Sequence, residues 1–287
     1  MHAYPHIGMI LFSYRLAPEH PFPAGLDDSY AVAKYVLEHG DSDKLRIDPS
    51  RVAIAGDSAG NISIFSLMPV TLLHVTGGAL ATVIAMRFAT KPVGKYSPRT
   101  QILLYPVLQL FDLMLPSYMQ DHFQPLHYTV DHTLSLYLNQ NIDPSIYGNN
   151  HTSVQQKQHY RKYVDWSLIP AKYRKVYKQP LTDDHQGDPA LIERAKLALS
   201  PEISPLLVDD VQLAKLPQTY ILSVGHDRLR DESFIYEGRL KKNGVAVVHN
   251  HYANAFHAIL GFLYGPFGLD IAHVMLNDVA KYIKETL

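Results

Sequence analysis

Ser58 stands in the run Arg51-Val52-Ala53-Ile54-Ala55-Gly56-Asp57-Ser58-Ala59-Gly60, where small or β-prone residues lead straight into a serine with a glycine two places away on either side. That spacing suits a strand entering a turn too tight for side chains beside the serine, so that the hydroxyl stands clear of the backbone and the next helix passes close to the strand. A serine hydroxyl is a poor nucleophile at neutral pH. It needs a base within hydrogen-bond reach, and the base needs a buried acid to orient it. Asp227, in Gly225-His226-Asp227, and His257, in Phe256-His257-Ala258, supply that pair. In this reading His257 takes the Ser58 proton and returns it to the leaving alcohol, while Asp227 holds the imidazole tautomer. The backbone at Ala59 and Gly60 would face the developing oxyanion.

Rivals exist for each partner. Asp231 is a second acid, one helical turn farther along, and His249 and His251 are alternative bases. The two histidines lie on a strand and read as structural. Their alternation is compatible with zinc, but no carboxylate follows at ligand spacing, so no metal is expected. The absence of a phosphate loop or dinucleotide fingerprint leaves no cofactor to expect either.

The elements that must position these residues follow a βαβ rhythm, which calls for a mostly parallel sheet flanked by helices. Residues 7–14 read as a strand and 15–24 as a proline-stiffened loop. A helix follows, with an apolar stripe of Ala31, Val32, Tyr35, Val36 and Leu37, a cap at Asp27 or Asp28, and an end at Gly40. Further strands are expected at 101–106, 218–224 and 246–251, and helices at 232–242 and 272–283. Ser58, Asp227 and His257 then each sit just past a strand, at the edge where parallel sheets place their chemistry.

Residues 62–86 contain no Lys, Arg, Asp or Glu and are long enough to cross a bilayer, although Pro69, His74 and Gly77-Gly78 interrupt them. From residue 111 to 177 the α/β rhythm disappears. Tyr118, Phe123, Tyr128, Tyr137, Tyr147, Tyr160, Tyr163 and Trp166 fall there. They fit either a cap over a lipophilic pocket or ordinary interhelix packing. The 287 residues fit a single domain, 1–287, with 111–177 as a cap inserted within it.

With 26 Lys and Arg against 27 Asp and Glu, the chain has no field to steer nucleic acid or an anionic membrane, and an uncharged small substrate fits best. The absence of cysteine excludes thiol catalysis, thiolate metal sites and disulfides. Residues 8–14 are too short an apolar run for a signal peptide.

The sequence resembles the hormone-sensitive-lipase-like branch of the α/β-hydrolases, within it the arylacetamide deacetylase and neutral cholesterol ester hydrolase group. The resemblance rests on Tyr14-Arg15-Leu16-Ala17-Pro18-Glu19-His20-Pro21-Phe22-Pro23-Ala24, Gly56-Asp57-Ser58-Ala59-Gly60, Val164-Asp165-Trp166-Ser167-Leu168-Ile169-Pro170, Ser204-Pro205-Leu206-Leu207, Asp227-Arg228-Leu229-Arg230-Asp231, and His249-Asn250-His251 followed by Phe256-His257. It implies an α/β-hydrolase fold and a serine esterase for lipophilic carboxylic esters, with Ser58, Asp227 and His257 matching the family's triad. It also implies an endoplasmic-reticulum membrane protein with its catalytic part on the lumenal side.

Two departures shape the expectations. The family carries a His-Gly-Gly-Gly loop before the Tyr14 segment that supplies most of its oxyanion hole, and no such loop is present in this sequence. The family strand that goes with it lies between the residue-7 strand and the residue-51 strand. Its absence predicts either a direct, collapsed pairing of those two strands or poor folding. The second departure is the segment 61–77, where the family has a second glycine directly after the motif. Joining Gly60 to Gly78 restores the family text, as expected of a retained intron in an incomplete gene model of an esterase. If the insertion is real, Pro69 should break the helix after Ser58 and displace the Ala59 amide. A ligand-binding protein on the same scaffold and an inactive fragment are the alternatives to an enzyme.

Overall fold

The computed structural model describes residues 9–42, 44–58, 73–74, 77–92, 94, 96–120, 129–179 and 185–287. Its strands are β1 (Ile10–Leu11), β2 (Ala53–Asp57), β3 (Leu73–His74), β4 (Thr100–Leu104), β5 (Gln218–His226) and β6 (Val247–Phe256). The helices are α1 (Ala24–His39), α2 (Gly78–Thr90), α3 (Pro116–Met119), α4 (Val130–Leu138), α5 (Val154–Tyr160), α6 (Ala171–Arg174), α7 (Pro189–Ala195), α8 (Asp210–Leu213), α9 (Arg230–Lys242) and α10 (Asp270–Thr286). The strands form one sheet in the order β1-β3-β2-β4-β5-β6, with every neighbouring pair parallel.

Alternation along the central strands divides the core in two. Ile54, Leu103 and Ile221 point to one face and pack with residues of α1, α2 and α9 such as Leu37, Ile84 and Ile235. Ala53, Ala55, Ile102, Tyr220, Leu222 and Val224 point to the other, against Met275, Val279, Tyr282 and Ile283 of α10. Burial on both faces explains why these strands read as continuous apolar runs. Each leucine-sized side chain so buried stabilises the fold by about 1.5–3 kcal/mol relative to exposure.

The expected direct pairing of the first strand with the strand before Ser58 does not occur. Leu73 pairs with both Ile10 and Ile54, and His74 with both Leu11 and Ala55, so β3 lies between β1 and β2. Part of the segment read as an insertion therefore supplies the strand that satisfies both edges. The first strand is also shorter than expected: residues 12–14 are not strand, and residues 7–8 lie outside the described residues.

α1 begins earlier than expected, with Pro23 rather than an aspartate at its N-cap and no side-chain cap. It buries Leu26, Ser29, Ala33, Val36 and Leu37, whereas Tyr35 is exposed and stacks on His39. Asp28 instead receives the Arg15 guanidinium through two hydrogen bonds of 2.8 and 2.7 Å. β6 runs to Phe256, past the expected end at 251, through an irregularity opposite Val224 to His226.

The candidate membrane span lies in part outside the described residues. Its end, from Gly78, belongs to α2, which packs in the core. Among the described residues no helix is long and apolar enough to cross a membrane.

Between β4 and β5 the chain builds a third apolar cluster, including Leu110, Leu134, Leu138, Ile146, Leu191 and Ile203. It extends beyond residue 177, where the cap was expected to end. Trp166 belongs to the main core, Tyr118, Tyr160 and Tyr163 pack against it, and Tyr137 and Tyr147 pack against the third cluster. These aromatic side chains pack between the helices of this region. Phe123 and Tyr128 lie outside the described residues.

Candidate active site

β2 delivers Ser58 to the edge of the sheet. Its φ of 55° lies in the left-handed region, a strained conformation for a residue with a side chain. Two backbone bonds hold it there. The Ser58 amide donates to the Leu104 carbonyl at 2.9 Å, and the Ser58 carbonyl accepts from the Gly78 amide at 2.7 Å. The helix that follows the elbow in space is therefore α2, which the chain enters at Gly78. A Cβ on Gly78 would lie 2.4 Å from the Pro106 Cβ, so only glycine permits this approach. Ala59 and Gly60, the expected oxyanion donors, and Pro69, the expected helix breaker, lie outside the described residues.

Asp227 follows β5 directly and is 2% exposed. Its Oδ1 accepts from the Leu229 amide at 2.9 Å, which fixes the carboxylate at the start of the turn into α9. Its Oδ2 lies 2.8 Å from His257 Nδ1. His257 follows the last residue of β6, and Ala258, at φ 63°, turns the chain away into a short helical turn over Ile259–Phe262. His257 Nε2 lies 2.8 Å from Ser58 Oγ. A carboxylate can only accept, so Nδ1 carries the proton toward Asp227 and Nε2 presents its lone pair to the serine hydroxyl.

Burial pushes the His257 pKa down. The Asp227 charge, the hydrogen bond to it and the nearby Asp57 outweigh that effect, and the net shift is upward from 6.5. The Tyr105 ring packs on the imidazole, with centroids 4.8 Å apart and planes tilted by 58°.

The rival residues point elsewhere. Asp231 accepts from the Ser117 amide at 2.7 Å and from Arg230 Nε at 2.8 Å, so it binds the segment after β4 to α9. His249 and His251 converge on Ser223 Oγ at 2.7 and 2.8 Å. His249 reaches Glu237 at 2.7 Å and His251 reaches the Tyr173 hydroxyl at 2.6 Å, in a packed network between β5, β6, α9 and α6.

Three residues near the site escape sequence reading. Tyr105 appears in the text only as the end of a strand. Glu232 is fully buried and accepts from the Leu108 and Gln109 amides at 2.6 and 3.1 Å and from the Tyr118 hydroxyl at 2.7 Å; burial raises its pKa to about 8. Arg230, 1% exposed, lies 3.9 Å from the Tyr173 ring centroid. A cavity of about 480 Å³ lined by Gln158, Arg161, Lys162, Val164, Asp165, Trp166 and Gln179 shares no residue with the Ser58 group, and its charged lining does not suit an apolar acyl chain.

Comparison with known proteins bears on this arrangement. A family described as having the alpha/beta hydrolase fold matches residues 4–68 and 171–261. Arylacetamide deacetylase of Bos taurus is 33% identical over 284 residues, covering 94% of this chain and 64% of that protein. Neutral cholesterol ester hydrolase 1 of Mus musculus is 32% identical over 287 residues, covering 97% of this chain and 65% of the relative. The chain thus spans just under two thirds of the length of these curated relatives. Among solved structures, the hyperthermophilic esterase of the archaeon Pyrobaculum calidifontis is 25% identical with a TM-score of 0.55, covering 95% of this chain and 63% of its own.

Proposed function

The chain belongs to the alpha/beta hydrolase fold family, in the branch that holds the arylacetamide deacetylases and neutral cholesterol ester hydrolases, and from that premise we propose that it is a serine hydrolase cleaving lipophilic carboxylic esters through an acyl-enzyme. The observation that carries the reading is the unbroken relay from Ser58 Oγ to His257 Nε2 and from His257 Nδ1 to Asp227 Oδ2, each step 2.8 Å.

In the proposed reaction His257 Nε2 accepts the Ser58 proton as Oγ attacks the ester carbonyl. The imidazolium is stabilised by the buried Asp227 carboxylate and then protonates the departing alcohol. A water activated by the same nitrogen releases the acid and frees Ser58. Charge on the tetrahedral oxygen would be met by the backbone at Ala59 and Gly60, and an oxyanion donor of this kind is worth about 10²–10³ in turnover. The near-zero charge balance suits a neutral ester. The names of the arylacetamide deacetylase and neutral cholesterol ester hydrolase relatives support an ester substrate; the finer reading, carried by the sequence resemblance, is acetyl or acylglycerol-type esters as the class, the segment 111–177 as a cap, and a place at the endoplasmic-reticulum membrane with a lumenal active site.

A ligand-binding protein on this scaffold would need neither hydrogen bond of the relay, and the strained φ at Ser58 would then be maintained to no purpose. The test is hydrolysis of p-nitrophenyl esters of increasing acyl length by the chain and by Ser58→Ala. Turnover of any ester in the series that vanishes in the variant supports the proposal; equal rates in both contradict it.

A further inference from the structure

Tyr105 and the residue before it touch each of the three elements that bear the triad. The Tyr105 amide donates to the Leu222 carbonyl of β5 at 2.6 Å, and the preceding carbonyl, Leu104, accepts from Ser58 at 2.9 Å. Its ring packs on the His257 imidazole at 4.8 Å between centroids. Its hydroxyl is a hydrogen-bond partner of the Leu260 backbone, in the turn that follows His257. The side chain is 2% exposed and sits in the core that includes Ala255 and Ile259 on either side of the base. The backbone reaches this position only at a φ of 36°, outside the comfortable range for any residue but glycine. Strain of this kind persists where the surroundings over-determine it, and it gathers at functional sites.

We propose that Tyr105 is the positioning residue of the His257 base, its ring fixing the imidazole and its hydroxyl holding the Leu260 turn. The proposal deepens the esterase reading and rests on it for the term base. Asp227 sets the tautomer and one direction of the imidazole, but once Ser58 Oγ leaves Nε2 to attack, the single remaining hydrogen bond leaves the ring free to pivot about that axis. A packed aromatic face removes the pivot, which keeps Nε2 on Ser58. An aromatic ring with its centroid 4.8 Å away is also near enough to attract a cation, and we read the same contact as stabilising the imidazolium formed as Ser58 gives up its proton.

Two variants separate the parts. Tyr105→Phe keeps the ring and removes the hydroxyl; Tyr105→Leu removes both. The His257 titration, followed by imidazole NMR, is expected to shift downward by roughly half a pH unit in Tyr105→Leu and to keep its midpoint in Tyr105→Phe. Hydrogen exchange at the Leu260 amide is expected to accelerate roughly tenfold in Tyr105→Phe. With a turned-over ester, Tyr105→Leu should lower kcat about tenfold or more with KM unchanged. An unchanged His257 midpoint in Tyr105→Leu overturns the role of the ring, and unchanged Leu260 exchange in Tyr105→Phe overturns that of the hydroxyl. Should Tyr105→Leu fail to fold, the His257 midpoint in Tyr105→Met, which fills the site without an aromatic ring, decides the role of the ring by the same criterion. Both readouts work without turnover, so a wild-type chain that hydrolysed no ester would sink the esterase reading while leaving the contact itself under test.

Discussion

The Gly78 amide donates a 2.7 Å hydrogen bond to the Ser58 carbonyl, so the nucleophile's turn and α2 are joined in space although the chain departs and returns between them. The contact requires glycine, because a Cβ at that position would lie 2.7 Å from the Pro106 Cα and 2.4 Å from its Cβ. Gly78→Ala should push α2 away from the turn. Overpacking of this kind costs about 1–3 kcal/mol, which for a domain of this size lowers the melting temperature by roughly 2–4 °C per kcal/mol. Ester turnover should fall with it, about tenfold or more, because Ser58 moves relative to His257. A melting scan and a kcat measurement on the same preparation check this, and wild-type values of both would contradict it.

The two acids of the Asp227-Arg228-Leu229-Arg230-Asp231 run should separate by phenotype. Asp227→Asn leaves the fold intact and presents the wrong hydrogen-bond pattern to His257 Nδ1, so kcat should drop by about 10⁴. Asp231→Asn instead uncouples the buried Arg230 and the Ser117 amide, and breaking a buried pair costs about 3–5 kcal/mol of stability. Its turnover per folded molecule should stay within a few-fold of wild type. Denaturant titration beside kcat distinguishes the two, and an inverted pattern would exchange their roles.

The acid limb of activity should lie above the ordinary histidine pKa. His257 is the base only when neutral, and its pKa is raised from 6.5 by the Asp227 charge and hydrogen bond in spite of burial. Activity is therefore present above that raised value and lost as pH falls through it. A kcat/KM profile that stayed flat from pH 5 to 8 would contradict the role of His257.

Stability should have its own acid transition. Burial lowers the pKa values of His151 and His251 to about 4, against about 6.5 in the unfolded chain. The unfolded state then binds more protons, so stability is lost as pH falls from 6.5 toward 4. Glu232, raised to about 8, works the other way: its contribution is full below about 4.5 and is lost as pH rises toward 8. Two histidines outweigh one glutamate between pH 4.5 and 6.5, so the melting temperature should fall on acidification. The double variant His151→Gln, His251→Gln should flatten that slope by about 2 kcal/mol per pH unit near pH 5. Parallel slopes in the two proteins would contradict the assignment.

Much of the site was legible because chemistry that depends on order leaves a trace in order. A serine between glycines, then an acid and then a histidine, each past an apolar strand, points to Ser58, Asp227 and His257 as one group, and the structure places them within hydrogen-bond reach of one another. The helix phase of α1 was less legible. Its buried face includes Ser29 and the small Ala33 beside the expected Val36 and Leu37, while the apolar-looking Tyr35 faces solvent, so counting apolar residues finds only part of the stripe. Glu232 and Arg230 carry no assigned role in the sequence for a related reason: in a helix crowded with charge nothing in their spacing marks them as buried, and only tertiary contacts satisfy them in the core. The place of Leu73–His74 in the sheet could not be read either, since a two-residue strand has no periodicity of its own and is defined by the edges it fills.

The central claim is that Ser58 is an activated nucleophile. The most direct measurement is reaction of the folded chain with a fluorophosphonate probe, followed by peptide mapping of the adduct. The account predicts a single adduct on Ser58, formed faster above the His257 pKa than below it and absent in Ser58→Ala. A folded chain that forms no adduct at Ser58, or that labels equally in the alanine variant, would contradict it.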